Sequence, residues 1–310
     1  MSLVAFDVSK DILEGFDGSS KLKIANTPTE IGRMLKRYPS DWSFILEPTS
    51  IYHLELAERA YKAGHTVYLV NPRAMSKFRE SRSFRAKTDE IDAECLHVFG
   101  TKHVDDLRAW SPLAADVEAL RRALKQYHKL TQQRVRLVQI MGKSILQEFG
   151  AALDALTALV DKIEDEAIAA AKRVDEDYFK RLLAAPGFGN YSACAFTYLF
   201  KSRNFETPDA ARAFIGMDLK VKDSGKKMGK RCLTKCGDSM LRHAAGCAGR
   251  GLLNSKYGRE KNLELKAQKR EGPARMMIAG AKLVRIAFAL HSSGQPFDPT
   301  KFKWRLDAKT

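Results

Sequence analysis

The first hundred residues alternate short apolar runs with polar breaks. LVAFDV, DILEGFD and KLKIAN are β-rich runs split by tight polar turns, a pattern that predicts a three-stranded antiparallel meander. PTEIGRMLKRY then carries helical spacing, and WSFILEP is a buried-strand run. YHLELAERAYKAG predicts a second helix and TVYLVN another strand, after which Pro72 opens a further helical stretch.

Three antiparallel strands followed by two helix-linked strands is the order of a ribonuclease-H-like α/β fold. From Ser111-Pro112, a cap and first-turn signal, to about Phe179 the chain is almost all helix-forming. Leu120, Leu124, Tyr127 and Leu130 recur at spacings of three and four, as do Val138, Met141 and Ile145. Gly142 and Gly150 are the interior breakers, so two long helices are expected. Their apolar stripe suits an intramolecular hairpin or a dimer coiled coil, and the sequence leaves both open. A third region, mainly helical with loops, starts near Arg181 and ends in the basic tail KFKWRL. The expected layout is an α/β domain over 1–107, a helical coiled-coil arm over 108–180 and a mainly α domain over 181–310.

Charge changes this picture. Residues 201–310 hold 25 Lys and Arg against 10 Asp and Glu, whereas residues 1–200 hold 28 against 27. Nearly all of the net +16 therefore sits in the last third, which points to a polyanion, with nucleic acid ahead of a membrane surface. With no apolar run of 18 residues, no signal-peptide pattern and five cysteines without a disulfide framework, a cytoplasmic protein is expected.

The candidate chemistry is acidic. RAKTDEIDAECL places Asp89 and Asp92 three residues apart after Thr88, a plausible N-cap, and taken alone it reads as the solvated first turn of a helix. Asp7, however, interrupts the apolar run LVAFDV, and Glu47 closes the apolar run SFILEP. A buried carboxylate is costly unless it is paired or binds a cation. In the inferred fold the first and fourth strands are neighbours and the DxxD helix can pack beside them. Four carboxylates from three elements would supply the hard oxygen ligands that two Mg²⁺ ions need. Arg73, Lys77, Arg79, Arg82, Arg85 and Lys87, with Phe78 and Phe84 interleaved, form a basic run suited to a nucleic-acid backbone.

FDVSK, LEPTSIY, VNP and KTDEIDA, in this order and spacing, resemble the N-terminal half of the DEDD insertion-sequence transposases, the family that includes the Piv and MooV DNA invertases. AAPGFG, ARAFIGM, DSG and TKCGDSMLR follow at the family's spacing, so the resemblance covers nearly the whole chain. It implies a RuvC-like N-terminal domain in which Asp7, Glu47, Asp89 and Asp92 bind two Mg²⁺ ions, with Mn²⁺ able to substitute. It also implies that Ser224, in VKDSGKK, is a nucleophile that forms a phosphoserine link to DNA. A structured guide (bridge) RNA pairing with donor and target DNA, and a homodimer or homotetramer, are implied as well. Two positions depart from the family pattern: the usual E-A-T-G is Glu47-Pro-Thr-Ser here, and the usual proline after Gly216 is Leu219.

Beside the resemblance, each motif keeps its plainer reading. A serine before glycine in a Lys-rich loop is ordinarily a turn residue; in the functional reading, Lys222, Lys226 and Lys227 hold the scissile phosphate. Lys230 and Arg231 are further contact candidates. Pro186-Gly187-Phe188-Gly189 is either a plain helix–helix turn or the hairpin of a helix-hairpin-helix, with Gly187 and Gly189 letting backbone N–H groups approach a phosphate. Cys232, Cys236, His243 and Cys247 match zinc spacing only loosely, and no zinc site is expected. Two rival functions stand beside the transposase: a RuvC-like nuclease that uses metal-activated water, and a non-catalytic nucleic-acid-binding protein.

Overall fold

The computed structural model describes residues 2–81, 89–141, 147–220 and 232–304, with the side chains of residues 89–91, 141, 147 and 148 set aside. The chain divides into two compact units, residues 1–112 and 113–310.

In the first unit the alternating runs become strands β1 (Leu3–Val8), β2 (Ile12–Phe16) and β3 (Lys21–Ala25), paired antiparallel in sequence order. Helix α1 (Pro28–Leu35) follows, capped by the Thr27 side chain with Pro28 in its first turn. Strand β4 (Ser43–Glu47) then lies parallel to β1, helix α2 (Leu54–Lys62) crosses over, and β5 (Thr66–Leu69) lies parallel to β4. Helix α3 (Pro72–Ser81) begins at Asn71, whose Oδ1 accepts from the Arg73 amide at 2.9 Å. Helix α4 (Asp89–His103) follows, and a two-residue strand β6 (Ala109–Trp110) closes the sheet antiparallel to β5. Among the described residues the sheet order is β3-β2-β1-β4-β5-β6.

The period of two sorts the strand residues onto two faces. Val4, Phe6, Phe44, Leu46 and Val67 form one core with Ile31, Met34, Leu56 and Ala57 of α1 and α2. Leu3, Ala5 and Ile45 form the other with Met75 of α3 and Cys95 and Leu96 of α4. Gly100 lets α4 lie close on this second face, because a Cβ there would come within 2.7 Å of Leu3 and Ile45 side chains.

In the second unit helix α5 (Ala115–Met141) packs against α6 (Gln147–Ala184). The Ser111-Pro112 signal misplaces the helix start by three residues, because pairing of Trp110 with Val67 holds the preceding chain extended. Gly150 does not break a helix; it lies inside α6 with open space beside it, where its cost is only a weak propensity term. Gly142 lies outside the described residues; within α6 the helix is interrupted at Asp175, whose backbone leaves the helical region while its Oδ1 caps the Tyr178 amide at 2.8 Å. Helices α7 (Asn190–Ser202), α8 (Pro208–Phe214), α9 (Ser239–Asn254), α10 (Arg259–Ala267) and α11 (Gly272–Ser293) complete this unit. One core joins Leu120 and Leu124 of α5, Tyr178 and Leu182 of α6, Phe196 of α7, Leu252 of α9 and Leu283 of α11. The KFKWRL tail is part of it as far as Trp304, whose Nε1 donates to the Tyr257 carbonyl at 2.7 Å.

Helices α9 and α11 approach until their backbones touch. A Cβ on Gly249 would lie 2.1 Å from the Met276 carbonyl oxygen, and one on Gly280 would lie 2.6 Å from that of Ala245. Gly249→Ala should therefore cost about 2–3 kcal/mol by forcing the helices apart. Gly32→Ala in α1, where a Cβ meets nothing within 4 Å, should instead gain up to about 1 kcal/mol. Urea unfolding of both variants checks this, and a neutral Gly249→Ala would contradict the contact.

Candidate functional site

The register of β1 and β4 places Asp7 directly beside Glu47. Both belong to the strand positions that face α3 and α4, at the ends where the apolar runs stop. Asp7 Oδ1 accepts from the Val8 amide at 3.0 Å. Asp92 projects from the face of α4 that also carries Cys95, Leu96 and Gly100, and only 7% of it is exposed. An acid in that apolar stripe is the helical counterpart of Asp7 in its strand. Asp89 opens α4 one turn earlier, and its side chain lies outside the described residues.

One cation joins these acids. Arg79 lies four residues after the buried Met75 and so points inward, whereas Arg73 and Lys77 lie on the exposed side of α3. Its Nη2 donates to Glu47 Oε2, and its Nε lies 2.8 Å from Asp92 Oδ1. The second contact is a proximity of charges: the Nε–H is not aimed along it and makes no hydrogen bond. Burial opposes the charge on Arg79, but the hydrogen bond and charge of Glu47, reinforced by Asp92, outweigh it and raise the guanidinium above its ordinary pKa.

Among the described residues no three His, Cys, Asp or Glu side chains are gathered closely enough to hold a metal ion. Arg79 sits between Glu47 and Asp92, and the Asp89 side chain is not among those described. The donor set itself is all hard oxygen, and two of its carboxylates from different elements already share one positive charge. That chemistry fits a divalent ion of the Mg²⁺ type.

The loop after Glu47 carries strain. Ser50 has φ +50°, in the left-handed region that favours glycine, at the position where the resembling family carries glycine. Ile51 beyond it is 67% exposed.

The second unit holds the other candidates. Ser224, Lys222, Lys226, Lys227, Lys230 and Arg231 lie in residues 221–231, outside the described residues, as do Arg82, Arg85 and Lys87. Both ends of residues 221–231 are fixed, because β7 (Leu219–Lys220) pairs antiparallel with β8 (Cys232–Leu233). Below this ribbon Gly216, at φ +74°, and Gly237 meet backbone to backbone; a Cβ on Gly237 would lie 2.2 Å from the Phe214 carbonyl oxygen. Arg242 of α9 donates to the Ile215 and Gly237 carbonyls at 3.1 and 3.3 Å, tying both sides of the base to one helix. Nothing in the local sequence pattern distinguishes Arg242 from a surface base.

The Pro186–Gly189 stretch links α6 to α7. Gly187, at φ +96°, sits against α9, where a Cβ would lie 2.7 Å from the Ala248 carbonyl oxygen; Gly189 is the N-cap of α7. Cys232, Cys236 and Cys247 are exposed free thiols, and Cys247 Sγ lies 3.8 Å from His243 Nε2, one turn away on α9. His243 lies against the buried His128 with ring centroids 4.9 Å apart and planes tilted by 55°.

Residues 17–150 match the transposase family DEDD_Tnp_IS110, and residues 179–256 match the Transposase IS116/IS110/IS902 family. Together the matches span about two thirds of the chain. The first contains Glu47, Asp89 and Asp92 but begins after Asp7; the second contains Ser224. No curated protein matches the chain significantly.

Burial, then the neighbouring His243, lowers the pKa of His128; burial, then Arg250, lowers that of His243. Both rings are thus favoured neutral in the folded state. Their stabilisation is fully present above the ordinary value of 6.5 and is lost as pH falls below it. The thermal midpoint should drop between pH 7.5 and 5.5, with His128 contributing part of that drop. A flat profile, or an equal drop in His128→Gln, would show that this ring does not resist protonation.

Proposed function

The chain belongs to the IS110 family of DEDD transposases, enzymes that cut and join DNA, and on that footing we propose how its two units share the reaction. The first unit, read as a ribonuclease-H-like domain on its strand order, is the metal-binding half. Asp7, Glu47, Asp89 and Asp92 would hold two Mg²⁺ ions, with Mn²⁺ as a substitute. When bound, such ions neutralise and polarise the scissile phosphate. The observation that carries this reading is the convergence of Glu47 and Asp92 on one partly buried cation beside the Asp7 strand.

The second unit supplies the nucleophile. The Ser224 hydroxyl attacks the scissile phosphorus and gives up its proton. The bond from phosphorus to the 3′ oxygen breaks, and the 3′-OH leaves while the 5′-phosphate stays on serine. A 3′-OH from the partner strand then attacks the phosphoserine, restoring a phosphodiester and freeing the hydroxyl. Each step exchanges one phosphate ester for another, so no external energy source is needed. Lys222, Lys226, Lys227, Lys230 and Arg231 contact the phosphate backbone around this serine, and the paired strands fix the two ends of residues 221–231.

The excess of basic residues after position 200 supports two polyanion partners, DNA and a guide RNA that pairs with donor and target. Arg73 and Lys77, on the exposed side of α3, and the turn at Gly187 and Gly189 are read as backbone contacts of the same kind. Strand exchange joins several ends, which calls for a homodimer or homotetramer. The exposed Val135, Val138 and Ile140 at the far end of α5, with Phe149 and Leu159 of α6, support a coiled-coil contact between copies.

Trapping wild-type protein on a nicked, end-labelled junction and denaturing it should leave DNA linked to the peptide containing Ser224. Ser224→Ala should bind the junction normally but lose adduct and cleavage by at least about 10³-fold, as expected for removal of a nucleophile. Asp92→Asn should lose cleavage while keeping Ser224 intact. A Ser224→Ala protein that cuts as fast as wild type would instead make this a nuclease that uses water.

A further inference from the structure

We propose that Arg79 is a latch on the cation site: in the metal-free protein its guanidinium fills the position between Glu47 and Asp92, and a divalent ion enters as that guanidinium leaves. The inference rests on the reading of these carboxylates as metal ligands and adds a residue that the DEDD set does not contain.

Three observations carry it. Arg79 takes Glu47 Oε2 and lies against Asp92 Oδ1, oxygens on two of the carboxylates that would face a metal ion. The hold is an imperfect one. A structural arginine usually grips one carboxylate with two parallel hydrogen bonds; here one guanidinium is divided between two acids, and its buried Nε–H makes no hydrogen bond.

Finally, the helix does not have to move for the side chain to go. Phe78, the neighbouring residue, stacks edge-on against Phe99 and His103 of α4 with ring centroids 5.2 and 6.0 Å away, and Met75 is fully buried. These contacts pin α3 while Arg79 changes rotamer. The released guanidinium stays beside the site, within reach of the phosphate that the metal recruits. The latch keeps the acids paired until metal is present, and metal uptake frees a cation for the DNA.

The test is competition, read without activity. Full-length protein stripped with EDTA is titrated with Mn²⁺ at pH 7.5, and free Mn²⁺ is followed by electron paramagnetic resonance. Arg79→Gln should bind at least about tenfold more tightly than wild type, which corresponds to about 1.4 kcal/mol. Arg79→Lys, which keeps a charge but cannot span two acids, should fall between them. If Arg79→Gln does not fold, the lysine variant decides alone: several-fold tighter binding supports the latch, and wild-type affinity overturns it. Weaker Mn²⁺ binding by Arg79→Gln would make Arg79 a residue that positions the carboxylates, and the latch would be wrong. A Glu47→Gln protein that binds Mn²⁺ like wild type would show that the carboxylate site itself is misread, whatever Arg79 does.

Discussion

Carboxylates set among apolar side chains need a positive charge, and the first unit is arranged around that demand. Ala5 and Leu3 on β1, Ile45 on β4 and Cys95 and Leu96 on α4 make a dry face, and Asp7, Glu47 and Asp92 stand at its edge. Leaving such acids unpaired would cost several kcal/mol each. The structure answers with Arg79, turned inward by its position four residues after Met75. The close approach of α4 at Gly100 and the Phe78 contact of α3 both serve this arrangement, because each fixes a helix that brings one charge to the sheet.

The second unit meets a different constraint, that of fixing the two ends of residues 221–231. Its glycines permit backbone contact where a side chain would block it: Gly249 with Met276, Gly187 with Ala248 and Gly216 with Gly237. The last of these, stapled by Arg242, forms the floor under the short ribbon from which residues 221–231 depart. The proposed role of Ser224 needs the ends of its segment held in place, and a ribbon of two paired residues per strand would be weak without that floor.

Much of the first unit was legible in the sequence, since strands of period two and helices with capped starts announce themselves locally. The meander, the parallel β4 and β5, and the pairing of Asp7 with Glu47 follow from apolar runs interrupted by acids. The two-residue β6 was not legible, as two residues carry no period; it moved the start of α5 away from Ser111-Pro112. Gly150 misled for the opposite reason, because a long helix absorbs one glycine cheaply. The basic run marks Arg79 as one of six nucleic-acid contacts, whereas its guanidinium is engaged by Glu47 and Asp92. The signal that would have separated it is its spacing from Met75 and Phe78, on the buried side of α3, while Arg73 and Lys77 stay outside. The contacts of Arg242 and the glycine pairs join residues distant in sequence, and no local pattern encodes them.

The proposed divalent-cation site formed by the acids of β1, β4 and α4, filled by Arg79 when metal is absent, is open to direct observation. Anomalous diffraction from crystals grown with Mn²⁺ tests it most directly. A manganese peak bounded by the carboxylates of Asp7, Glu47 and Asp92, with the Arg79 guanidinium moved off Glu47, is expected. A peak elsewhere in the first unit, or none there while Arg79 still bridges Glu47 and Asp92 at millimolar Mn²⁺, would contradict it.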